Sequence, residues 1–547
     1  MKHSCYVSGV LLTSQRRLAT AFVLLMALLL FSQPVAAQLN DDDRDDIGLT
    51  QLRAAVPGLT EGVGVKAHIV EAYNPSLGDR YVPHPSDAQL SSNTINIVGM
   101  PATAVLSEIL STHARTSARH FYGSSGVARD LGMGGLAIDA YVAGGVLTPT
   151  DNTPAVHWLN LLISNFNLLI SNFNDPSLSD FDRSTVSSHS YVFSLDNRDS
   201  APPEATQREN FTINLQLLDY IINETDCTAV VGTSNGGALP LGWTPAYNVI
   251  AVGRSAGTHG RGLTTTYGSG RVAIDVVAPE PNSSSATPVV AGAVAILQDA
   301  ANGSDASTSE VIRATILAGA TKDAGDIAGT WSRTNTQPLD STYGAGELNI
   351  LNSYNIQQAG EFDGGATTPV SLLGVNGWDY EDNLERNGQR LYEFEVTAGN
   401  RLEDFSVVLA WNQNIVVSFF PSFSLGERLA NLSLELLDSS GTVVDSSVSD
   451  VDNVEHVFQQ TLEAGTYQLR VSNDNGFASD YGLAWRGNQV SAVLLGDVDQ
   501  DGVVNFLDIA SFIVILTNGP YLAEADCNED GVVDFLDIAS FIAILNG

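Results

Sequence analysis

The sequence is poor in cysteine and in basic residues. Only 3 of its 547 residues are cysteine, so a framework of several disulfide bonds is excluded. Lysine and arginine number 25 against 62 aspartates and glutamates, which gives a formal net charge of −37. A chain this acidic would repel nucleic acids and anionic membrane surfaces, so we expect neither as a partner. The surplus of carboxylates favours solubility in an external medium and makes calcium binding plausible.

Long hydrophobic runs are also scarce. Residues 1–37 join a basic start to the 12-residue apolar stretch TAFVLLMALLLF and to PVAA, which is typical of a secretory signal peptide that ends at Ala37. The stretch is too short to span a membrane, and nothing later in the sequence is long enough. Cleavage would remove three positive charges and leave a net charge of about −40. We therefore expect a protein that is secreted or held at the cell surface, in which Cys227 and Cys527 remain and their pairing stays open.

The rest of the chain divides by its hydrophobic pattern. Residues 38–61 are acidic near their start, with NDDDRDD at residues 40–46, and are predicted to be a linker. Residues 62–355 alternate short apolar strands with helical stretches, which predicts an α/β domain with a parallel sheet. Residues 360–490 alternate apolar and polar side chains with period two between turns such as DSSG, which predicts an antiparallel β-sandwich of jelly-roll type. Residues 491–547 form a small helical domain.

This last segment contains an internal repeat. DVDQDGVVNFLDIASFIVIL recurs as DCNEDGVVDFLDIASFIAIL at an offset of 29 residues. Each copy has oxygen-bearing side chains at alternate positions of a 12-residue loop, and a glycine (Gly502 or Gly531) at the sharp turn. A backbone carbonyl at position 7 and a carboxylate at position 12 would complete the coordination. The pattern predicts two Ca²⁺ ions held by Asp497, Asp499, Asp501, Val503, Asn505 and Asp508, and by Asp526, Asn528, Asp530, Val532, Asp534 and Asp537.

The repeat resembles a dockerin domain rather than an EF-hand pair, because its last ligand is Asp and only the helix after each loop is evident. The resemblance implies a module that attaches a secreted enzyme to a cohesin. Loop positions 10 and 11, which often contact the partner in that family, are apolar here. A cohesin, another surface protein and the chain's own sandwich therefore remain alternative partners. The four residues are Phe506, Leu507, Phe535 and Leu536.

Several motifs earlier in the chain point to nucleophilic catalysis. SSSATPVVAGAVAIL places serines before a helix of small apolar residues, where the helix N-terminus favours negative charge beside an attacked carbonyl. A polar turn that caps a buried helix would look similar. STHARTSA places His113 at the start of a helix, whereas the rival histidines have no comparable context. These rivals are His68, His84, His120, His157, His189 and His259.

Taken in order, these motifs resemble the subtilisin-like serine proteases over about residues 62–350. The resemblance implies that Ser284 is the nucleophile and His113 the base. Asn235 ends the apolar strand of DCTAVVGTSNGG and would donate to the oxyanion, although an Asn-Gly turn is the alternative. The family's Asp after the first strand is replaced by Glu71 in GVKAHIVEAYNP. The motif around His113 also departs from the family, with Ala114, Thr116 and Arg119 in place of Gly, His and Gly.

The sandwich resembles the prepeptidase C-terminal domains that follow secreted subtilases, in segments such as NLSLELLDSSG. Together the resemblances predict a secreted serine endopeptidase that cleaves a protein or peptide substrate and docks to a partner or surface. Because the histidine motif departs from that of the family and Glu71 replaces its Asp, one alternative remains open. In that alternative the fold is catalytically dead and serves as an extracellular binding or structural module.

Overall fold

The computed structural model describes residues 41–71, 82–98, 110–133, 137–141, 185–192, 204–240, 242–418, 424–474, 476–491, 494–528 and 530–545. The predicted signal peptide, residues 1–37, and His157 lie outside the described residues. A helix that could cross a bilayer does not occur in the described part of the chain.

The first domain is built on a seven-stranded parallel sheet. Short apolar runs rich in Val, Ile and Ala form its strands, and most of their residues are buried because helices cover both faces. The strand order is β2-β3-β1-β4-β5-β6-β7. The strands are β1 Lys66–Val70, β2 Ile95–Val98, β3 Ile138–Tyr141, β4 Thr185–His189, β5 Thr228–Gly232, β6 Ile250–Arg254 and β7 Val276–Ala278.

Seven helices accompany this sheet. The central one, α5, is almost wholly buried because its residues are small and apolar. Gly292 lets a neighbouring segment approach closely, since a Cβ atom there would lie 2.5 Å from the Cβ of Val127. The helices are α1 Asp41–Asp46, α2 Leu49–Ala55, α3 Thr112–Phe121, α4 Glu204–Thr225, α5 Ser283–Ala301, α6 Ser309–Gly319 and α7 Ile350–Ala359.

Residues 41–55 are not the linker that the acidic composition suggested. They form α1 and α2, and Ile47, Leu49 and Leu52 are fully buried in the core of the first domain. The Ile47 carbonyl also accepts a hydrogen bond of 2.8 Å from the Ile350 amide. Three well-placed apolar residues are enough to anchor a short segment whose other face is charged.

The second domain is an antiparallel sandwich with two four-stranded sheets, β15-β10-β17-β8 and β14-β13-β16-β9, and a two-stranded ribbon, β11-β12. Alternating side chains fill the space between the sheets, as the period of two requires. The strands are β8 Asn376–Leu384, β9 Gln389–Val396, β10 Asn400–Ala410, β11 Asn414–Ser418, β12 Ser424–Arg428, β13 Leu432–Asp438, β14 Val443–Ser447, β15 Val454–Leu462, β16 Gly465–Asn473 and β17 Ser479–Ser491.

The sandwich packs directly on the first domain. Trp378, Val408 and Ala484 of the sandwich belong to the same buried cluster as the core of the α/β domain. Polar groups are paired across the interface too, since the Asn248 side chain donates to the Gln413 carbonyl at 3.0 Å. The two domains therefore share a continuous core rather than a flexible joint.

The C-terminal domain contains α8 Asp508–Asn518 and α9 Asp537–Leu545, one helix after each acidic loop. Its small core centres on Phe512 and Phe541, whose rings stack with centroids 4.0 Å apart. Cys227 and Cys527 are both buried, and no disulfide bond joins them. A parallel-sheet domain, an antiparallel sandwich and a small helical domain confirm the predicted fold class.

Candidate functional site

The four side chains that the motifs singled out lie at the carboxyl ends of parallel strands or at the starts of the helices near them. Glu71 directly follows β1, and Asn235 follows β5 by three residues. His113 and Ser284 are each the second residue of a helix, α3 and α5. This edge of a parallel sheet is where ligands usually bind, because loops and helix N-termini gather there.

Glu71 and His113 are joined by a hydrogen bond. The His113 Nδ1 atom lies 2.8 Å from the Glu71 Oε2 atom. The glutamate side chain is 1 % exposed and the imidazole 38 % exposed, so the pair runs from the interior to the surface. A carboxylate only accepts hydrogen bonds, so Nδ1 must carry the proton and Nε2 is left as the basic nitrogen.

Apart from its contact with His113, the Glu71 side chain is enclosed by the protein. Its Oε1 atom is buried and has no hydrogen-bond partner among the described residues. The fully buried Tyr122 lies nearby, and burial, followed by the charge of Glu71, raises the pKa of its hydroxyl. An ionised carboxylate in such a place is stabilised most by a cationic partner, which a protonated imidazole would supply.

Ser284 lies in the first turn of α5 and is partly exposed. Nothing among the described residues accepts a hydrogen bond from its backbone amide. The neighbouring amides are all occupied: Ser283 by Asn235 Oδ1 at 2.8 Å, Ser285 by Asn282 Oδ1 at 2.9 Å, and Ala286 by the Asn282 carbonyl at 3.1 Å. The Ser284 amide is therefore the N–H of this helix end that an incoming anion can use.

The Asn235 side chain is held in a single orientation by Ser283. Its Oδ1 atom accepts from the Ser283 amide at 2.8 Å and from the Ser283 hydroxyl at 3.0 Å. That hydroxyl also lies 2.5 Å from the Thr233 carbonyl. With Oδ1 occupied, the Nδ2 amine is the end of the exposed side chain that can donate to a ligand.

A cleft of about 260 Å³ opens beside these groups. It brings together His113 from α3 and Ser284 from α5, whereas Asn235 does not line it. Sequence reasoning did not single out Asn282 or Ser283, although the preference for Asn at a helix N-cap could have identified the first. The cleft is lined by Thr112, His113, Thr116, Ser117, Asn282, Ser284 and Ser285.

The other described histidines are elsewhere. His84 bonds to the Ser86 hydroxyl at 2.7 Å, at an exposed position. His68, His189 and His259 are buried, and desolvation lowers the pKa of the first two to about 3 and of the third to about 4. They remain neutral at ordinary pH. His120 is also buried and faces Glu280. Of the described histidines, His113 is the one that lines the cleft with Ser284.

The two acidic loops of the C-terminal domain fold in the same way. In the first, Asp497 accepts hydrogen bonds from the amides of Asp501 and Gly502 at 3.0 and 2.9 Å. In the second, Asp526 accepts the equivalent bonds from Asp530 and Gly531 at 3.1 and 2.9 Å. The two glycines have φ angles of 88° and 87°, which other residues rarely adopt.

The donor set of these loops suits a hard cation. Carboxylate oxygens of Asp497, Asp499 and Asp501 lie within 4.8 Å of one another, a clustering of negative charge that a divalent ion would relieve. The carboxylates that close the loops, Asp508 and Asp537, are fully buried. Oxygen ligands without nitrogen or sulfur are those that calcium prefers.

The apolar residues at loop positions 10 and 11 point to solvent. Phe506 and Phe535 are 74 % and 75 % exposed, and Leu507 and Leu536 are each 67 % exposed. Exposed aromatic side chains of this size are typical of an interaction surface.

Two family profiles match the sequence. Residues 137–346 match the subtilase family, and residues 495–546 match the dockerin type I domain. The first match includes Asn235 and Ser284 but begins after Glu71 and His113. The chain thus contains one region similar to the subtilase family and one similar to dockerin type I domains, a class of modules known to bind calcium. No curated protein matches the chain.

The solved structures that match this chain are distant in sequence and have low TM-scores. The serine protease MycP1, described as an essential component of the type VII (ESX-1) secretion system, is 12 % identical, with a TM-score of 0.35 over 57 % of this chain and 87 % of that one. A Pseudomonas sedolisin, a serine-carboxyl proteinase, is 14 % identical, with a TM-score of 0.35 over 57 % and 98 %. The pre-peptidase C-terminal domain of a collagenase from Bacillus anthracis is 14 % identical, with a TM-score of 0.15 over 22 % and 93 %.

Proposed function

We propose that this protein is a secreted serine endopeptidase that attaches to a cohesin-type or other cell-surface partner through its C-terminal domain. One observation carries the proposal. Buried Glu71 holds the Nδ1 atom of His113 at 2.8 Å, and the imidazole lines the same cleft as Ser284. An acid, a base and a hydroxyl in this order are the three groups that acyl transfer requires.

In the proposed reaction the Ser284 hydroxyl attacks the carbonyl carbon of the scissile peptide bond. The Nε2 atom of His113 accepts the hydroxyl proton and later gives it to the leaving amine. Glu71 fixes the tautomer and stabilises the imidazolium that forms between these two steps. Water then takes the place of the amine, and the same groups hydrolyse the acyl-enzyme.

The negative oxygen of the tetrahedral intermediate needs preorganised donors. The backbone amide of Ser284 and the side-chain Nδ2 of Asn235 are proposed for this role. The Ser284 amide makes no other hydrogen bond among the described residues, and Ser283 fixes the orientation of the Asn235 side chain. The N-terminus of the long helix α5 adds its positive dipole end. Removing one side-chain donor of this kind typically slows turnover about 10²- to 10³-fold.

The C-terminal loops are proposed to hold two calcium ions, one in each copy of the repeat. The twelve predicted ligand residues are all described, and the corresponding hydrogen bonds in the two loops are nearly identical. When bound, the ions would neutralise the clustered carboxylates and fix the loops ahead of α8 and α9. The exposed side chains of Phe506, Leu507, Phe535 and Leu536 would then contact the partner.

The proposal is tested by labelling the purified protein with a fluorophosphonate, which reacts with an activated serine, and by measuring hydrolysis of casein. We expect one labelled site at Ser284, and a Ser284→Ala variant that folds normally but has lost activity by about 10⁴-fold or more. Ser283→Ala is the neighbouring control and should still be labelled. Undiminished hydrolysis by Ser284→Ala would remove the assignment. A wild-type protein that neither labels nor cleaves would favour the dead, binding-only alternative.

A further inference from the structure

A second histidine of α3 forms a buried contact with the segment that leads to Ser284. The Nε2 atom of His120 lies 3.5 Å from the Oε2 atom of Glu280, and the two side chains are 0 % and 2 % exposed. Glu280 precedes Ser284 by four residues, after β7 and before the N-cap of α5. The contact therefore joins the two elements that carry the proposed base and nucleophile.

His120 is placed to act on His113. The two lie seven residues apart on one helix, which is about two turns, so they lie on similar sides of α3. The His120 Nδ1 atom is 2.8 Å from the Thr116 carbonyl, which can only accept, so Nδ1 carries a proton and Nε2 is left to face Glu280. The hydrogen bond to Thr116, one helical turn earlier, thus fixes both the orientation and the tautomer of the His120 ring.

The contact has the character of an ion pair. Burial alone would lower the pKa of His120, but the nearby carboxylate of Glu280, the Thr116 carbonyl and the charge of Asp43 together raise it. A buried ion pair is an inefficient source of stability, because desolvation of both charges offsets most of their attraction. Such a pair does fix distance and orientation, since either partner left alone would be a buried unpaired charge.

We propose that His120 and Glu280 are positioning residues that set the distance between α3 and the turn of Ser284, an inference that rests on the proposed endopeptidase function. Neither touches the substrate. Their effect is on the alignment of His113 with the Ser284 hydroxyl. A misplacement of about 1 Å in such an arrangement can slow a reaction about 100-fold.

The test compares Glu280→Gln, His120→Gln and His120→Leu with the wild type. The amount of active enzyme in each sample is counted by fluorophosphonate titration, and kcat and KM are measured on a fluorogenic peptide. We expect kcat per titrated site to fall about 10- to 100-fold for Glu280→Gln and His120→Leu, with KM nearly unchanged. His120→Gln keeps a donor toward Glu280 and should retain more activity than His120→Leu.

His456→Gln is the matched control, because His456 is equally buried but lies in the sandwich, where its Nε2 atom bonds to Ser406 at 3.0 Å. It should reduce thermal stability without changing kcat per titrated site. The double variant His120→Gln/Glu280→Gln, a neutral amide pair, should lose no more kcat than the worse single variant, because the two residues act as one unit.

Unchanged kcat per titrated site in Glu280→Gln and His120→Leu would overturn the positioning role while leaving the protease intact. A wild-type protein that no fluorophosphonate labels would overturn the proposed function and the positioning role together. The two failures are therefore distinguishable in one set of measurements.

Discussion

The proposed calcium loops and the proposed catalytic site of this protein are assembled in opposite ways. Every predicted ligand of a loop lies within 12 consecutive residues, and the whole unit occurs twice. The residues of the catalytic site proposed here come from positions as far apart as Glu71 and Ser284, at the end of a strand of the seven-stranded sheet and in the first turn of a helix that packs on it. A loop can form its site almost by itself once its ion is bound, whereas the cleft exists only when the entire first domain has folded.

The two sites also differ in how well they tolerate substitutions. In the loops most polar atoms are satisfied by neighbours a few residues away, as Asp497 is by the amides of Asp501 and Gly502. In the cleft the Glu71–His113 bond spans 42 residues and has no local substitute. We therefore expect single substitutions to act sharply at the cleft, and calcium removal to act on the C-terminal domain alone.

After Ser284→Ala, the largest effect is expected from Glu71→Gln. The amide cannot accept the His113 Nδ1 proton with the strength of a carboxylate or stabilise the imidazolium, so kcat/KM on a peptide substrate should fall about 10³- to 10⁴-fold. Glu71→Asp keeps the charge but is one methylene shorter, and should lose about 10- to 100-fold. Exposed Glu385→Gln is the control and should have no effect. Full activity in Glu71→Gln would mean that another group orients the base.

Calcium removal should have the next largest effect, and it should act on the C-terminal domain without affecting the cleft. An ion present at about 1,000 times its Kd stabilises the folded domain by about 4 kcal/mol. Treating the full chain with a calcium chelator should therefore make residues 494–545 sensitive to an added protease and abolish partner binding, while peptide hydrolysis persists. Asp508→Ala and Asp537→Ala should each reproduce part of the effect. Loss of hydrolysis with the C-terminal domain still resistant would contradict this division.

A third prediction concerns the interface that joins the sandwich to the first domain. Trp378 is 5 % exposed, packs in the core that both domains share, and donates from its indole N–H to the Gln357 carbonyl at 3.0 Å. Trp378→Ala should cost about 3–5 kcal/mol of unfolding free energy in a urea titration and shift the unfolding of both domains together. Phe477→Ala, at a site 51 % exposed, should change stability by less than about 0.5 kcal/mol. Separate transitions in the wild type would show that the domains are independent.

The smallest effect is a pH dependence of stability that comes from buried Glu347, in the segment YGAGELNI at residues 343–350. Burial, assisted by the charges of Asp326, Asp46 and Asp43, raises the pKa of Glu347 from 4.5 to about 8, although the nearby Ser255 side chain acts in the opposite direction. Between these pH values the folded protein keeps a proton that the unfolded chain has lost, so stability falls as pH rises through this window. Glu347→Gln should flatten the fall in thermal stability between pH 5 and 8. If the thermal stability of Glu347→Gln fell with pH as steeply as that of the exposed control Glu385→Gln, the effect would be excluded.

Several parts of the fold could be predicted because their signals are local. The alternation of strands with helices predicted the parallel sheet, and the alternation of apolar with polar side chains predicted the sandwich. The segment 41–55 was predicted wrongly, because acidic residues between its few apolar positions hid a packed pair of short helices. Burial of Ile47 and Leu49 depends on α7 and the core beneath, which no window of a few residues contains.

The candidate site could be predicted only as a set of residues. The order of the motifs selected Glu71, His113, Asn235 and Ser284, but not the support that Ser283 gives to Asn235, nor the pairing of His120 with Glu280. These contacts join α3, β5 and the turn before α5, so their distances depend on how closely the elements pack. Side-chain type alone does not contain that information.

The amino-acid sequence by itself determined the calcium-loop pattern, the alternation of elements and the division of the chain into three folded parts, because each follows from interactions between near neighbours. The tertiary structure decided which described histidine lines the cleft with Ser284, which serine backbone amide stays unused, and that the sandwich shares its core with the first domain. The physical reason is that hydrogen bonds and burial between distant residues are fixed only when the whole sheet and its helices have packed together.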